Sequence, residues 1–197
     1  LVFIIFDQSL FIIMKKRLQI GVMGSAADLE KNQDLFSLAE KVGQLIAKEG
    51  AILVFGAEKD YDSLSTAACR GAKKANGLTV GITYGKDLST YEDADITIAT
   101  GLERGGGREF SLVLSCDAVI AISGGSGTLN EMVVGYQANI PLIALTGTGG
   151  WADKMAGEYF DGRNRVKVEA ASTPEQAVEL AINLAKASNE RTEHEHL

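Results

Sequence analysis

The most chemically suggestive stretch of the sequence is Ser123-Gly124-Gly125-Ser126-Gly127-Thr128-Leu129-Asn130-Glu131, set between an apolar run and a helical period. Glycines at such a junction let backbone N–H groups approach an anion closely, and a helix beginning there adds unpaired donors and the positive end of a dipole. A phosphate suits that chemistry. A second reading needs no ligand: Thr128 and Glu131 have the T-x-x-E spacing of a capping box that closes a tight strand–helix turn. The two readings are compatible for Thr128 and compete for the Glu131 carboxylate. No Gly-Lys-Ser/Thr follows, so this is not a Walker A loop, and it does not follow the first strand, where the dinucleotide G-x-G-x-x-G fingerprint belongs. ATP hydrolysis and NAD chemistry therefore have no motif behind them, and no cofactor is expected.

Upstream, Arg108 opens a predicted helix and is preceded by Gly101-Leu102-Glu103-Arg104-Gly105-Gly106-Gly107. Its guanidinium can form one half of a helix-entry salt bridge to Glu103 or Glu109. Gly105–Gly107 read either as a mobile rim over a pocket or as a passive linker. Gly24-Ser25, at the end of the first predicted strand, is a further candidate for ligand contact. Thr146-Gly147-Thr148-Gly149-Gly150-Trp151 ends a later strand and can line the same crevice, with Trp151 as an aromatic wall or as ordinary core. Asp60 and Asp62 are either ligand-facing carboxylates or a solvated helix entry with Asp62 as its N-cap.

The rest of the chain narrows the setting. Of 22 glycines in 197 residues, 11 fall between positions 101 and 150, a window with only six charged residues, which concentrates close backbone approach where the motif lies. The net charge of −7 repels a polyphosphate backbone and argues against broad nucleic-acid binding, while leaving room for one small anion in a local pocket. Cys69 and Cys116 are too few for a disulfide framework or a zinc cluster and read as buried free thiols, consistent with a reducing cytoplasm. His194 and His196 lie near the chain end, so neither a His-based triad nor a His-ligated metal has a core residue to use. The apolar residues 1–13 are too short to span a bilayer and are interrupted by Asp7-Gln8-Ser9. Their positive charges, Lys15-Lys16-Arg17, follow them, the wrong side for a secretory signal. We expect Met14 to be the native start and 1–13 an upstream extension, with no membrane partner.

These residues need a scaffold, and the hydrophobic pattern predicts one. Strands are expected at Leu18–Met23, Ala51–Phe55, Thr79–Thr83, Ile96–Ala99, Asp117–Ile122, Leu142–Leu145 and Val166–Val168. Helices are expected at Asn32–Lys48, Ser63–Asn76, Arg108–Ser115, Thr128–Gln137, around Trp151–Glu158, and at Thr173–Ala187 with Ser172 as cap. Gly50 and Gly77 are the expected stops of the first two helices. Runs such as Ala118-Val119-Ile120-Ala121-Ile122 suit a parallel sheet covered on both faces. The expectation is one doubly wound, Rossmann-like α/β domain over residues 14–188, with a mostly parallel sheet, helices on both faces and a polar tail at 189–197. Ligands in such sheets bind beyond the carboxyl ends of the strands, where Gly24-Ser25, Gly56 and Gly124-Gly125 are predicted to lie.

From Arg108 to Glu131 the sequence resembles the Lonely Guy family of cytokinin-activating phosphoribohydrolases and its relatives, long grouped as "possible lysine decarboxylases". That signature pairs an Arg at a helix start with P-G-G-x-G-T-x-x-E after the next strand. The resemblance extends more weakly from Leu18 to about Ala187 and is nearest to a prokaryotic branch that also resembles molybdenum-cofactor carrier proteins. It implies a nucleoside 5′-monophosphate or similar phosphate ligand held by Gly24, Ser25, Gly124, Gly125, Ser126, Gly127 and Thr128. Arg108 and Glu131 would be the catalytic residues for N-glycosidic hydrolysis, with Glu131 stabilising an oxocarbenium-like transition state or orienting water. A non-catalytic carrier or sensor of a nucleotide-like ligand is the alternative. A homo-oligomer is implied as well. The chain departs from the family in having Glu109 where the enzymes have Lys, and Ser123 in place of the motif's Pro.

Overall fold

The computed structural model describes residues 16–25, 33–57, 62–85, 94–102 and 107–195, with backbone only over 191–195. Residues 1–13, Met14, Asp60, Glu103 and Gly105–Gly106 lie outside the described residues, and so do the expectations that rest on them. Thirteen elements follow in the order β1 Gln19–Gly24, α1 Gln33–Lys48, β2 Ile52–Gly56, α2 Leu64–Lys74, β3 Thr79–Thr83, β4 Ile96–Ala99, α3 Arg108–Leu114, β5 Ala118–Ile122, α4 Ser126–Gln137, β6 Leu142–Leu145, α5 Gly150–Met155, β7 Val168–Ala171 and α6 Pro174–Glu195.

The strands form one seven-stranded sheet in the order β4-β3-β2-β1-β5-β6-β7, and every neighbouring pair is parallel. This is the doubly wound α/β architecture expected. Strand alternation divides the apolar side chains between two cores. Ile20, Val22, Leu53, Phe55, Ile120 and Ile122 face α1, α2 and α6. Met23, Val54, Ile82, Val119 and Ala121 face the layer of α3, α4 and α5. From β1 the sheet grows outward through β2, β3 and β4, and from β5 it grows the other way, so the winding reverses between β1 and β5. That reversal opens a crevice at the carboxyl ends of these two strands.

Helices α1 and α2 cross with their backbones almost touching. A Cβ on Gly43 would fall 1.8 Å from the Ala68 carbonyl oxygen, and one on Gly71 would fall 1.9 Å from that of Glu40.

Local chemistry shifts several expected boundaries. The N-cap of α2 is Ser63, not Asp62: Ser63 Oγ accepts from Thr66 N–H at 3.1 Å, and Thr66 Oγ1 accepts from Ser63 N–H at 2.8 Å. The left-handed residue that ends α2 is Asn76 (φ 56°), so Gly77 is not the turn-maker there; its missing Cβ would crowd Ala47 at 2.5 Å. β7 is Val168–Ala171, later than Val166–Val168, because its register is set by β6, Leu142 opposite Val168 and Leu145 opposite Ala171. α6 is capped by Thr173, whose Oγ1 accepts from Gln176 N–H at 3.2 Å, rather than by Ser172. It runs to Glu195, so the segment from Asn189 that composition marks as a polar tail is helical that far. Among the described residues no helix is long and apolar enough to cross a membrane.

Candidate functional site

At the crevice between β1 and β5 the chain leaves β5 through Ser123 and Gly124 and enters α4 at Ser126. The expected capping box does not form. The helix begins two residues before Thr128, its N-cap is Gly125, and no side chain caps it. Thr128 is buried inside the first turn and Glu131 is turned to another partner. The N–H groups of Ser126, Gly127 and Thr128 belong to the first turn, which has no intrahelical acceptor to offer them. A Cβ on Gly125 or Gly127 would meet nothing within 4 Å among the described residues. The turn therefore presents uncapped donors to open space, the arrangement an anion uses.

Hydroxyls and carbonyls hold this turn in place. Gly124 N–H donates to Ser25 Oγ at 2.9 Å, and Ser25 Oγ lies 3.2 Å from Ser123 Oγ. Ser25 thus supports the loop, and the Gly124 N–H is already engaged. Ser123 adopts φ 55°, sparsely populated for a residue with a side chain. Its N–H donates to Thr148 Oγ1 at 2.8 Å, and Thr148 Oγ1 donates to the Leu145 carbonyl at 2.6 Å. Trp151 and Ala152, in the first turn of α5, donate to the carbonyls of Gly124 and Ser123, both at 3.0 Å. The third glycine cluster therefore lines the same crevice, with the Trp151 backbone as its clamp. Gly124 (φ 103°) leaves no space for a side chain, since a Cβ would stand 2.4 Å from that of Thr128. Gly24 is packed too: a Cβ there would lie 2.7 Å from the Ile122 carbonyl oxygen.

One strand over, Arg108 reaches from the start of α3 across the end of β2. Its guanidinium lies against Gly56, where a Cβ would fall 2.7 Å from Nη1. Nη1 lies 3.5 Å from Glu131 Oε1, and Nη2 donates to the Tyr84 hydroxyl at 2.9 Å. The guanidinium carbon also sits 4.3 Å from the centre of the Tyr84 ring, a cation–π distance. Arg108 and Glu131 are 6% and 8% exposed, so this is a buried ion pair. The structure thus brings together the two residues singled out as catalytic candidates. The expected salt bridge to Glu109 is not formed; among the described residues Arg108 pairs with the Glu131 carboxylate, while Glu109 Oε1 accepts from the Tyr84 hydroxyl at 2.7 Å. Glu109 is 6% exposed, and its Oε2 has no hydrogen-bond partner among the described residues. Sequence reasoning missed Tyr84 altogether. No motif marks it, because it reaches Arg108 only through the pairing of β3 with β2.

Other candidates leave the site. Asp62 accepts from Arg70 Nη1 at 2.8 Å and from Thr66 Oγ1 at 3.0 Å, the geometry of a helix-entry staple. Cys69 and Cys116 are buried free thiols. Burial first, then the charges of Asp117 and Glu131, push the Cys116 thiol far up, so it offers no thiolate. Among the described residues no group of three His, Cys, Asp or Glu side chains is placed to hold a metal ion.

Comparison with known proteins bears on the family and the fold. The chain matches the SLOG cluster4 family over residues 17–178 and belongs to that family. The resemblance to Lonely Guy proteins holds at this level, since the SLOG superfamily includes them. An uncharacterized protein of Archaeoglobus fulgidus is 36% identical over 130 residues, covering 66% of this chain and 81% of its own. The molybdenum cofactor binding protein of Rippkaea orientalis superimposes with a TM-score of 0.71 at 33% identity, covering 86% of this chain and 98% of that one. The molybdenum cofactor carrier protein of Chlamydomonas reinhardtii gives 0.72 at 28% identity, covering 87% and 99%.

Proposed function

From membership of the SLOG cluster4 family as premise, we propose that this protein binds a small phosphate-bearing, nucleotide-like ligand and carries it without turnover. The phosphate sits against the first turn of α4, and the rest of the ligand reaches across β1 and β2 to Arg108. The observation behind this reading is the juxtaposition of an uncapped α4 N-terminus, open in front of Gly125 and Gly127, with the buried Arg108–Glu131 pair. A carboxylate turned to a guanidinium 3.5 Å away is already charge-compensated, which suits recognition better than attack. The names of the Rippkaea and Chlamydomonas relatives support a molybdenum cofactor as one cargo. The donor set suits the phosphate and organic part of such a cargo. With no grouped metal ligands among the described residues, the protein would leave the metal end uncoordinated. The same proposal takes the protein as a homo-oligomer, a reading supported by Phe110 and Leu114, which stand more than half exposed on α3.

A second reading has its own observation. Arg108 and Glu131 meet beside the phosphate turn, and Glu131 is held by the helix that makes that turn. In a phosphoribohydrolase the bond from the sugar to the base nitrogen breaks, water supplies the new oxygen and a proton goes to the base. Glu131 would stabilise the positive sugar. Incubation with a panel of nucleoside monophosphates and with molybdenum cofactor, scored for bound ligand and for free base, separates the two. Stoichiometric binding with no base release sustains the carrier. Base release that disappears in Glu131→Gln and Arg108→Ala replaces it with the hydrolase.

A further inference from the structure

The polar cluster at the end of β3 has a hydrogen-bonding pattern that the described residues leave incomplete. The Tyr84 hydroxyl serves two neighbours at once, accepting from Arg108 Nη2 at 2.9 Å and donating to Glu109 Oε1 at 2.7 Å. Beside it, Glu109 Oε2 is buried with no donor among the described residues. A buried acceptor without a partner is rare enough in folded proteins to need an explanation. Followed from Arg108 through the Tyr84 hydroxyl to Glu109, the cluster offers a guanidinium donor and the two acceptor oxygens of one carboxylate. The complementary ligand edge presents acceptor, donor, donor. That is the edge of a 2-amino-4-oxopyrimidine ring, as in guanine or a pterin: exocyclic oxygen, ring N–H, 2-amino group. Adenine presents an amino donor beside a bare ring nitrogen, whose lone pair would face the carboxylate. Hypoxanthine has the oxygen and the ring N–H but nothing for Oε2.

We propose that Arg108 and Glu109 together read the edge of a 2-amino-4-oxopyrimidine in the bound ligand, and that the Tyr84 hydroxyl stands in for that edge in the free protein. The inference rests on the phosphate-ligand reading above. On binding, the half-buried Tyr84 swings aside. The ligand oxygen accepts from Arg108 where the hydroxyl did, the ring N–H donates to Oε1, and the 2-amino group donates to Oε2. The spacing suits one molecule spanning both subsites. β5 and β3 stand three strand spacings apart in the sheet order, about 14 Å, the scale of an extended nucleotide.

Titration calorimetry of the full chain with GMP, IMP, AMP, a pterin monophosphate and ribose 5-phosphate tests this. GMP or the pterin phosphate is expected to bind about tenfold or more tightly than IMP and AMP, the scale of one charge-assisted hydrogen bond. The stronger of the two names the source of the ring. Glu109→Gln brings GMP to the level of IMP and leaves ribose 5-phosphate unchanged. Tyr84→Phe, which removes the competing hydroxyl, tightens GMP; weaker GMP binding in this variant overturns the stand-in. Equal affinity for GMP, IMP and AMP in the unmodified protein overturns the inference without needing any variant. Binding of ribose 5-phosphate in that same result leaves the phosphate reading intact. Failure of every phosphate compound to bind removes the reading and the inference together.

Discussion

At the amino end of the sheet, Asp117 accepts from Gln19 N–H at 2.8 Å and from Asn189 at 3.3 Å, with Lys16 3.8 Å away. At the carboxyl end, Glu109 accepts one bond from Tyr84 and keeps its second oxygen without a donor among the described residues. Asp95 repeats the first pattern at the start of β3, taking Thr79 N–H and Thr79 Oγ1, each at 2.9 Å, and pairing with Lys73. Burial raises the Asp95 carboxyl, but Lys73 and Thr79 outweigh it and hold the group below its ordinary value. Both ends of one parallel sheet therefore use acidic side chains, to different purpose. Where a carboxylate meets backbone N–H groups at strand starts, its acceptors are filled and it fastens crossover to sheet. Where it accepts from a phenol alone among the described residues, acceptor capacity is left over for something those residues do not supply.

That contrast can be broken at either end. Arg108→Met removes the cation shared by the site and breaks its buried pair with Glu131, a change expected to cost about 3–5 kcal/mol of stability and to abolish phosphate-ligand binding. Denaturant unfolding paired with calorimetry checks both, and an unchanged unfolding midpoint would show that the pair contributes little to the fold. Asp117→Ala strips the acceptor from Gln19 N–H and is expected to cost about 1–3 kcal/mol while leaving ligand affinity of the folded protein untouched. A loss of affinity there would show that the two ends are not separable. The smallest effect is a pH dependence. Because the folded Asp95 carboxyl lies below its ordinary 3.8, its stabilisation is present above that value and is lost as pH falls through the lower folded value. The stability advantage of the natural protein over Asp95→Asn, about 1 kcal/mol or less for a partly exposed pair, should therefore shrink on acidification. Thermal melts at neutral and strongly acidic pH measure it; a gap that persists in acid contradicts the assignment.

Much of the scaffold was legible because its signals are local. β3, β4 and β6 fall at the residues their short apolar runs indicate. The glycine-rich turn before α4 was legible for the same reason. Its helix start was not, since T-x-x-E spacing suggests a capping box that the burial of Thr128 and the pairing of Glu131 with Arg108 preclude. β7 was misplaced because Val166–Val168 has enough β propensity to form a strand alone, and only the register with β6 selects Val168–Ala171. Glu109 stood out in the sequence as a salt-bridge candidate for Arg108 and as a departure from the family pattern, and Tyr84 did not stand out at all.

The sequence by itself determined the alternation of strands and helices, the parallel sheet and the position of the glycine-rich turn, because each depends on residues a few positions apart. Only the tertiary structure decided that Arg108 pairs with Glu131, that Tyr84 bridges Arg108 and Glu109, and that Thr148 and Ser25 hold the turn. Those meetings join separate crossovers and exist only because the sheet winds outward in opposite directions from β1 and β5, bringing distant strand ends to one edge.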